Sequence, residues 1–128
     1  MPRAVLLVQG GPDEGTTLPL KEEMTLIGRT SLSDIVVDLP GISRQHAAIR
    51  GDADGFWISD LGSRNGTFVN DVKVSQEPQR LRNWDRVELA GMTTHWVFME
   101  SEETIEIPRG GEDQEIGKRV YARRSRPV

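Results

Sequence analysis

Short runs of β-branched, aromatic and other apolar residues, separated by turn-forming residues, follow one another along most of this chain. Clusters such as Gly10-Gly11-Pro12-Asp13 and Asp52-Ala53-Asp54-Gly55 stand between the runs and favour chain reversal. No segment of ten or more residues has a helical stripe, so the spacing predicts an all-β sandwich. The predicted strands are Ala4–Val8, Thr16–Leu20, Met24–Ile27, Ile35–Val37, Gln45–Arg50, Phe56–Asp60, Thr67–Val69, Val72–Val74, Arg80–Arg82, Arg86–Ala90 and Thr94–Met99.

Alternation within these runs predicts which side chains face the core, because successive residues of a strand point to opposite faces. The predicted inward pairs are Val87 with Leu89, Ala47 with Ile49, and Phe56 with Ile58. In the last run, Trp96 and Phe98 share one face, but Val97 on the other face is also apolar. Alternation therefore leaves the buried face of that run undecided.

Composition excludes several classes of protein. The 128 residues fit one domain, which we expect at 1–100, with a C-terminal tail or linker at 101–128. A net charge of -4 argues against a nucleic-acid-binding protein, and no apolar run approaches the roughly 20 residues that span a bilayer. Without cysteine there are no disulfides and no thiolate zinc sites, and the sequence indicates no cofactor or metal. A cytoplasmic location is expected.

The tail is acidic at first and basic at its end, with little apolar content, so we expect it to be disordered. Within it, Ile105–Ile107 could add a short edge strand. Thr104 could be a phosphorylation site that docks in its own or another copy's pocket, and Lys118–Arg126 could contact nucleic acid or an acidic partner. For both, a solvated linker is the simpler reading.

Three polar segments interrupt the strand pattern: Gly28-Arg29, Ser43–His46 and Ser63–Thr67. Together they supply guanidinium groups, hydroxyls, an amide and glycines, which are groups that hold a phosphate. Each segment also has a simpler explanation. Arg29 alone could be an ordinary surface arginine, and Asn65-Gly66 alone could be only a hairpin turn.

His46 has two readings. It could support its loop through hydrogen bonds of its ring, or it could form a catalytic pair with Ser43. No acidic partner stands at a recognisable spacing, and no G-x-S-x-G turn surrounds the serine. The structural reading is therefore preferred, and a hydrolase is the minor alternative.

The ordered combination of these segments resembles the forkhead-associated (FHA) domain, a family of phosphothreonine-binding β-sandwiches. The family pattern Gly-Arg, Ser-x-x-His and Ser-x-Asn-Gly-Thr is present at Gly28-Arg29, Ser43/His46 and Ser63/Asn65–Thr67. The resemblance runs from Leu26 to Phe98 and implies an eleven-strand sandwich that binds its peptide across the loops at one end. Where the family often has glycine, this chain has Asn70-Asp71 and Trp84-Asp85.

The resemblance assigns roles to individual residues. Arg29 and Ser43 match the principal phosphate contacts of the family. Arg44 and Arg64 occupy positions that often assist binding, and Asn65 matches the asparagine that hydrogen-bonds the main chain of the ligand. The residues that match the loop-structuring positions are Gly28, His46, Gly66 and Thr67.

We therefore expect a non-enzymatic signalling module that binds phosphothreonine in a partner protein or peptide, a substrate of a Ser/Thr kinase. No membrane and no nucleic acid is expected as a partner. A scaffold that binds partners through a β-face without phosphate is the main alternative of another class.

Overall fold

Two packed β-sheets form this protein. The computed structural model describes residues 3–90, 92, 94–101 and 119–123, and for the last range only the backbone. The strands are β1 (Ala4–Gln9), β2 (Thr17–Pro19), β3 (Met24–Gly28), β4 (Ile35–Asp38), β5 (Ala47–Asp52), β6 (Gly55–Asp60), β7 (Thr67–Val69), β8 (Val72–Lys73), β9 (Gln79–Leu81), β10 (Arg86–Leu89), β11 (His95–Glu100) and β12 (Arg119–Arg123). Among the described residues there is no helix long and apolar enough to cross a membrane.

The sheets have six strands each, in the orders β2-β1-β11-β10-β7-β8 and β12-β4-β3-β5-β6-β9. Pairing is antiparallel except for β3 with β4 and β4 with β12. The predicted all-β sandwich is confirmed, and each of the eleven predicted strands corresponds to an observed one.

The core lies between the sheets and is built from the alternating residues of both. The predicted inward pairs, including Val87 with Leu89, are all buried. In β11 the inward face belongs to Trp96 and Phe98, which are fully buried, and the ring of Phe98 packs on Phe56 with centroids 5.8 Å apart. Burying a side chain of this size contributes about 1.5–3 kcal/mol. These aromatic residues therefore hold the two sheets together.

Two turns use non-glycine residues where the family often has glycine. Asn70 and Asp71 between β7 and β8 have φ of 52° and 71°, and Trp84 between β9 and β10 has φ of 77°. These are the only described non-glycine residues with positive φ. Trp84 is also 70% exposed, so burial of its ring does little to offset the backbone strain.

The end of the chain differs from the sequence-based expectation. Residues 119–123 form β12, which no apolar pattern predicted, at the edge of the second sheet. Ser101 forms a backbone hydrogen bond to Arg3. The expectations for Thr104 and for Ile105–Ile107 lie outside the described residues, and the division at residue 100 stays a prediction.

The topology gathers the three polar segments at one end of the sandwich. Because β3 and β4 are parallel, their C-terminal ends lie at the same end, where β5 begins and β6 ends. The segment after β3, the β4–β5 loop (residues 39–46) and the β6–β7 loop (residues 61–66) therefore meet there.

Candidate functional site

A surface pocket of about 320 Å³ opens where these three segments meet. Among the described residues, its lining includes three arginines, one from each segment, and no carboxylate. A site with three guanidinium groups and no acid attracts anions, and guanidinium forks match the geometry of phosphate oxygens. The lining residues are Arg29, Pro40, Gly41, Ile42, Ser43, Arg44 and Arg64.

Gly28 allows the end of β3 to lie directly against the β4–β5 loop. A Cβ added to it would stand 2.0 Å from the carbonyl oxygen of Arg44 and 2.9 Å from Oγ of Ser33. No side chain fits in that space without moving backbone. The glycine is therefore required by close approach of two segments, and the loop carrying Ser43 and Arg44 depends on it.

Arg29 is held from both its backbone and its side chain. Its N–H donates to the carbonyl oxygens of Ser43 and Arg44 at 3.0 and 3.2 Å. Its side-chain Nε donates to the carbonyl of Ile42 at 2.8 Å. The Nη groups form no hydrogen bond within the described part of the chain. The guanidinium is thus oriented by the protein while its outer donors stay available at the pocket.

Ser43 connects the two loops. Its Oγ accepts a hydrogen bond from the backbone N–H of Arg64 at 3.0 Å. That contact uses the oxygen as an acceptor, so the hydroxyl hydrogen can still be donated to a ligand. The side chains of Arg44 and Arg64 are exposed at the rim of the same pocket.

His46 lies fully buried beneath the pocket and joins the same two loops. Its Nδ1 accepts from the backbone N–H of Ser43 at 3.1 Å, so Nε2 carries the ring proton. Nε2 donates to the carbonyl of Gly66 at 2.9 Å. The ring contacts the amide of Ser43 and not its hydroxyl, which is the wrong geometry for a base that activates a serine.

Asn65 and Gly66 complete the β6–β7 loop. Nδ2 of Asn65 donates to the carbonyl of Gly41 at 2.8 Å, which ties this loop to the β4–β5 loop and leaves Oδ1 exposed. Gly66 has φ of 105°, a conformation that favours glycine, and its N–H donates to Oγ of Ser63 at 2.9 Å. One of the two N–H donors of the Asn65 amide is therefore used within the protein.

Asp60 is the main site residue that sequence reasoning missed. The carboxylate is 8% exposed and accepts four hydrogen bonds. Oδ1 accepts from the hydroxyls of Ser63 and Thr67 at 2.6 and 2.7 Å, and Oδ2 accepts from the N–H groups of Gly62 and Ser63 at 3.0 and 2.9 Å. The available signal was the spacing of Asp60 and Ser63 at the end of a strand, which is typical of a side-chain-closed turn.

The pKa of Asp60 is lowered from its ordinary value of 3.8 by these contacts. Burial alone would raise this pKa. The hydrogen bonds from Ser63 and Thr67 favour the ionised form and outweigh burial. An ionised carboxylate thus closes the loop that presents Arg64 and Asn65.

Comparisons with known proteins agree with this arrangement. A sequence profile of the FHA domain matches residues 25–90, which covers about half of the chain and all three segments. The chain belongs to the FHA domain family. The strands β1, β2, β11 and β12 lie outside the matched range, but they complete the two sheets of the sandwich.

The curated relatives of this FHA domain include two bacterial regulators. It is 38% identical to the oxoglutarate dehydrogenase inhibitor of Corynebacterium jeikeium over 89 residues, which is 67% of this chain and 58% of the relative. It is 36% identical to the glycogen accumulation regulator GarA of Mycobacterium tuberculosis over 110 residues, 86% of this chain and 62% of the relative. The matches thus span only about three-fifths of either relative.

Among solved structures, this FHA domain is similar to EmbR of Mycobacterium tuberculosis, determined in complex with a low-affinity phosphopeptide. The TM-score is 0.70 with 28% sequence identity, over 83% of this chain and 26% of the EmbR chain. EmbR is therefore a much longer protein, and the likeness concerns one part of it.

Proposed function

We propose that this FHA domain binds phosphothreonine in a partner protein and acts as a regulatory module without catalytic activity. The observation that carries this proposal is the pocket, whose lining within the described part of the chain has three arginines and no carboxylate. The carbonyl of Ile42 already orients Arg29 there. Arg29 and Ser43 contact the phosphate, and Arg44 and Arg64 add charge at the rim. Asn65 presents Oδ1 to the main chain of the peptide.

The pocket discriminates by charge. A phosphothreonine carries about -1.5 to -2 charges and three acceptor oxygens, and unmodified threonine has neither. Each hydrogen bond to a charged group is worth about 1.5–3 kcal/mol. Two such bonds separate the modified from the unmodified peptide by about a hundredfold or more, since each 1.4 kcal/mol is tenfold.

The named relatives support this function. EmbR binds a phosphopeptide, and the two curated relatives are named as an inhibitor and a regulator. By analogy, the partner of this chain is a protein phosphorylated by a Ser/Thr kinase. A cytoplasmic location stays a prediction.

The deciding experiment measures fluorescence anisotropy with matched peptides that contain threonine or phosphothreonine. We expect the wild type to bind only the phosphorylated peptide, and Arg29→Ala to lose most of this binding while it keeps the wild-type circular dichroism and cooperative unfolding. Its unfolding midpoint falls only slightly, because one hydrogen bond to Ile42 is lost. Arg82→Gln is the matched control, because Arg82 is an exposed arginine in the β9–β10 turn, outside the pocket.

Equal affinity of the wild type for both peptides would reject the proposal and favour the phosphate-independent scaffold. A hydrolase that used Ser43 and His46 would instead release phosphate from the peptide, and this release would disappear when either residue is changed.

A further inference from the structure

The strand β12 lies beside the strand that leads into the pocket. It pairs in parallel with β4, which would otherwise be the edge of its sheet and expose a row of unpaired backbone groups. The paired residues are Arg119 with Ile35, Val120 with Val36, and Arg123 with Asp38, with a register shift between Val120 and Arg123 that places one extra residue in β12. The chain therefore covers this edge with its own C-terminal segment.

The outer face of β4 is covered as well. Ile35 and Val37 belong to the core, so alternation directs Val36 to the outer face, yet Val36 is only 6% exposed. A side chain on the outer face of an edge strand is ordinarily open to water. The edge of β4, and its outer face at Val36, are thus covered by the folded chain.

The direction of β12 brings its end to the pocket. In a parallel pair both strands run the same way, so Arg123 at the end of β12 lies level with Asp38 at the end of β4. Pro40, two residues beyond Asp38, already lines the pocket. Two residues span at most about 7 Å, so the pairing ends next to the loop that carries Ile42 and Ser43.

We propose that β12, when paired with β4, supports the phosphate-binding loop and that its release weakens ligand binding. This inference rests on the proposed function. The loop supplies the Ile42 carbonyl that orients Arg29 and the hydroxyl of Ser43, and both must be fixed before the ligand arrives for binding to be tight. Fraying at the end of β4 loosens both groups at once. The C-terminal segment is thus a control element for the pocket.

The first test removes backbone donors from β12 in the full chain. The register with β4 shifts between Val120 and Arg123, so the variant changes two successive residues at the centre of β12. Val120→Pro/Tyr121→Pro removes both of their N–H donors, and the fixed φ of proline also disfavours the extended strand. Val120→Ala/Tyr121→Ala truncates both side chains but keeps both N–H groups and is the matched control. The measurements are hydrogen exchange of the amides of residues 35–38 and anisotropy with a labelled degenerate phosphothreonine peptide library.

We expect the proline variant to lose protection in β4 and to bind the library about fivefold or more weakly, the range of ordinary coupling between sites. The alanine control keeps its protection and stays closer to the wild type. Lost protection with unchanged affinity would overturn the inference, and so would unchanged protection in the proline variant. A wild type that does not prefer phosphorylated peptides would reject the proposed function itself, and the exchange data would still report whether β12 covers β4.

The second test locks the strand in place. The chain has no cysteine, so Asp38→Cys/Arg123→Cys introduces a single possible disulfide at paired positions. Asp38→Cys/Arg119→Cys is the off-register control, because Arg119 pairs three residues away, about 10 Å along the strand, and a disulfide needs Cα atoms within about 7 Å. We expect only the first pair to form a disulfide, and its oxidised form to bind at least as tightly as its reduced form. Weaker binding after oxidation would contradict the inference.

Discussion

One backbone carbonyl orients the side chain on which the proposed site depends most. Because Nε of Arg29 donates to Ile42 at 2.8 Å, the guanidinium plane is set before a ligand binds. Arg29→Lys keeps the positive charge but has neither this anchor nor a fork of donors. We expect the variant to bind a phosphothreonine peptide at least about tenfold more weakly by anisotropy, the effect of one lost charged hydrogen bond. Wild-type affinity in Arg29→Lys would mean that Arg29 acts by charge alone.

Asp60 makes stability depend on pH. Its pKa is lower in the folded protein than its ordinary value of 3.8, so the unfolded chain binds the proton more readily. The stabilisation is therefore complete above about pH 4 to 5 and is lost as the pH falls through the folded pKa. Asp60→Asn replaces one acceptor by an N–H donor that faces the loop donors, and we expect it to lower the free energy of unfolding by about 1–3 kcal/mol at pH 7.

Urea unfolding between pH 2.5 and 7 checks this expectation. The difference in stability between wild type and Asp60→Asn should shrink toward the acid end, because the wild-type carboxylate becomes protonated there. Asp13→Asn is the control, since Asp13 lies in the β1–β2 turn, far in sequence from the loop. A difference that stays constant with pH would show that the carboxylate charge is irrelevant to the loop.

At the scale of the elements, Trp84 places a bulky residue in a turn conformation that suits glycine. Non-glycine residues in the left-handed region cost about 1–2 kcal/mol. At most positions a protein with glycine is less stable than the same protein with alanine, but at φ of 77° we expect the glycine variant to be the more stable one. Trp84→Gly should unfold at a higher urea concentration than Trp84→Ala, by about 1 kcal/mol of stability. The opposite order would mean that the β9–β10 turn relaxes out of this conformation once the ring is gone.

The sandwich was predictable because a strand that buries one face alternates apolar and polar residues, and this alternation is visible in its own sequence. Val87 and Leu89 are an example. β12 escaped prediction since its strand conformation comes from pairing with β4, a contact between distant parts of the chain, and not from its own apolar pattern.

The site residues also divide into those that residue type reveals and those that depend on contacts. Arg29, Ser43, Arg44 and Arg64 were recognisable as phosphate-binding residue types.

Other parts of the site depend on three-dimensional contacts that residue type does not reveal. The four hydrogen bonds of Asp60 appear only when the loop closes around it. The bond from Asn65 to Gly41 joins two loops that are distant in sequence. The choice of which face of β11 points inward also depends on how the two sheets pack, and this packing places Trp96 rather than Val97 in the core.

At the scale of the whole molecule, a basic pocket stands on an acidic body. The chain carries a net charge of -4, while the described residues that line the pocket include three arginines and no carboxylate. Long-range repulsion and short-range attraction therefore act on the same phosphorylated ligand. At physiological ionic strength the Debye length is about 8 Å, so the repulsion from distant charges is already largely screened, and further salt weakens mainly the attraction of the arginines.

This balance predicts how salt affects binding. Arg44→Gln/Arg64→Gln removes the two rim charges but leaves Arg29 and Ser43, and we expect its affinity to depend less on ionic strength between about 150 and 500 mM than that of the wild type. The wild type loses affinity as salt rises, mainly through a slower association rate, because rim charges steer the ligand. Stopped-flow measurement with a labelled phosphothreonine peptide separates the association and dissociation rates. Arg82→Gln should retain the wild-type salt dependence. If the affinity of the double variant depends on ionic strength as strongly as that of the wild type, Arg44 and Arg64 do not contribute to the electrostatic attraction of the ligand.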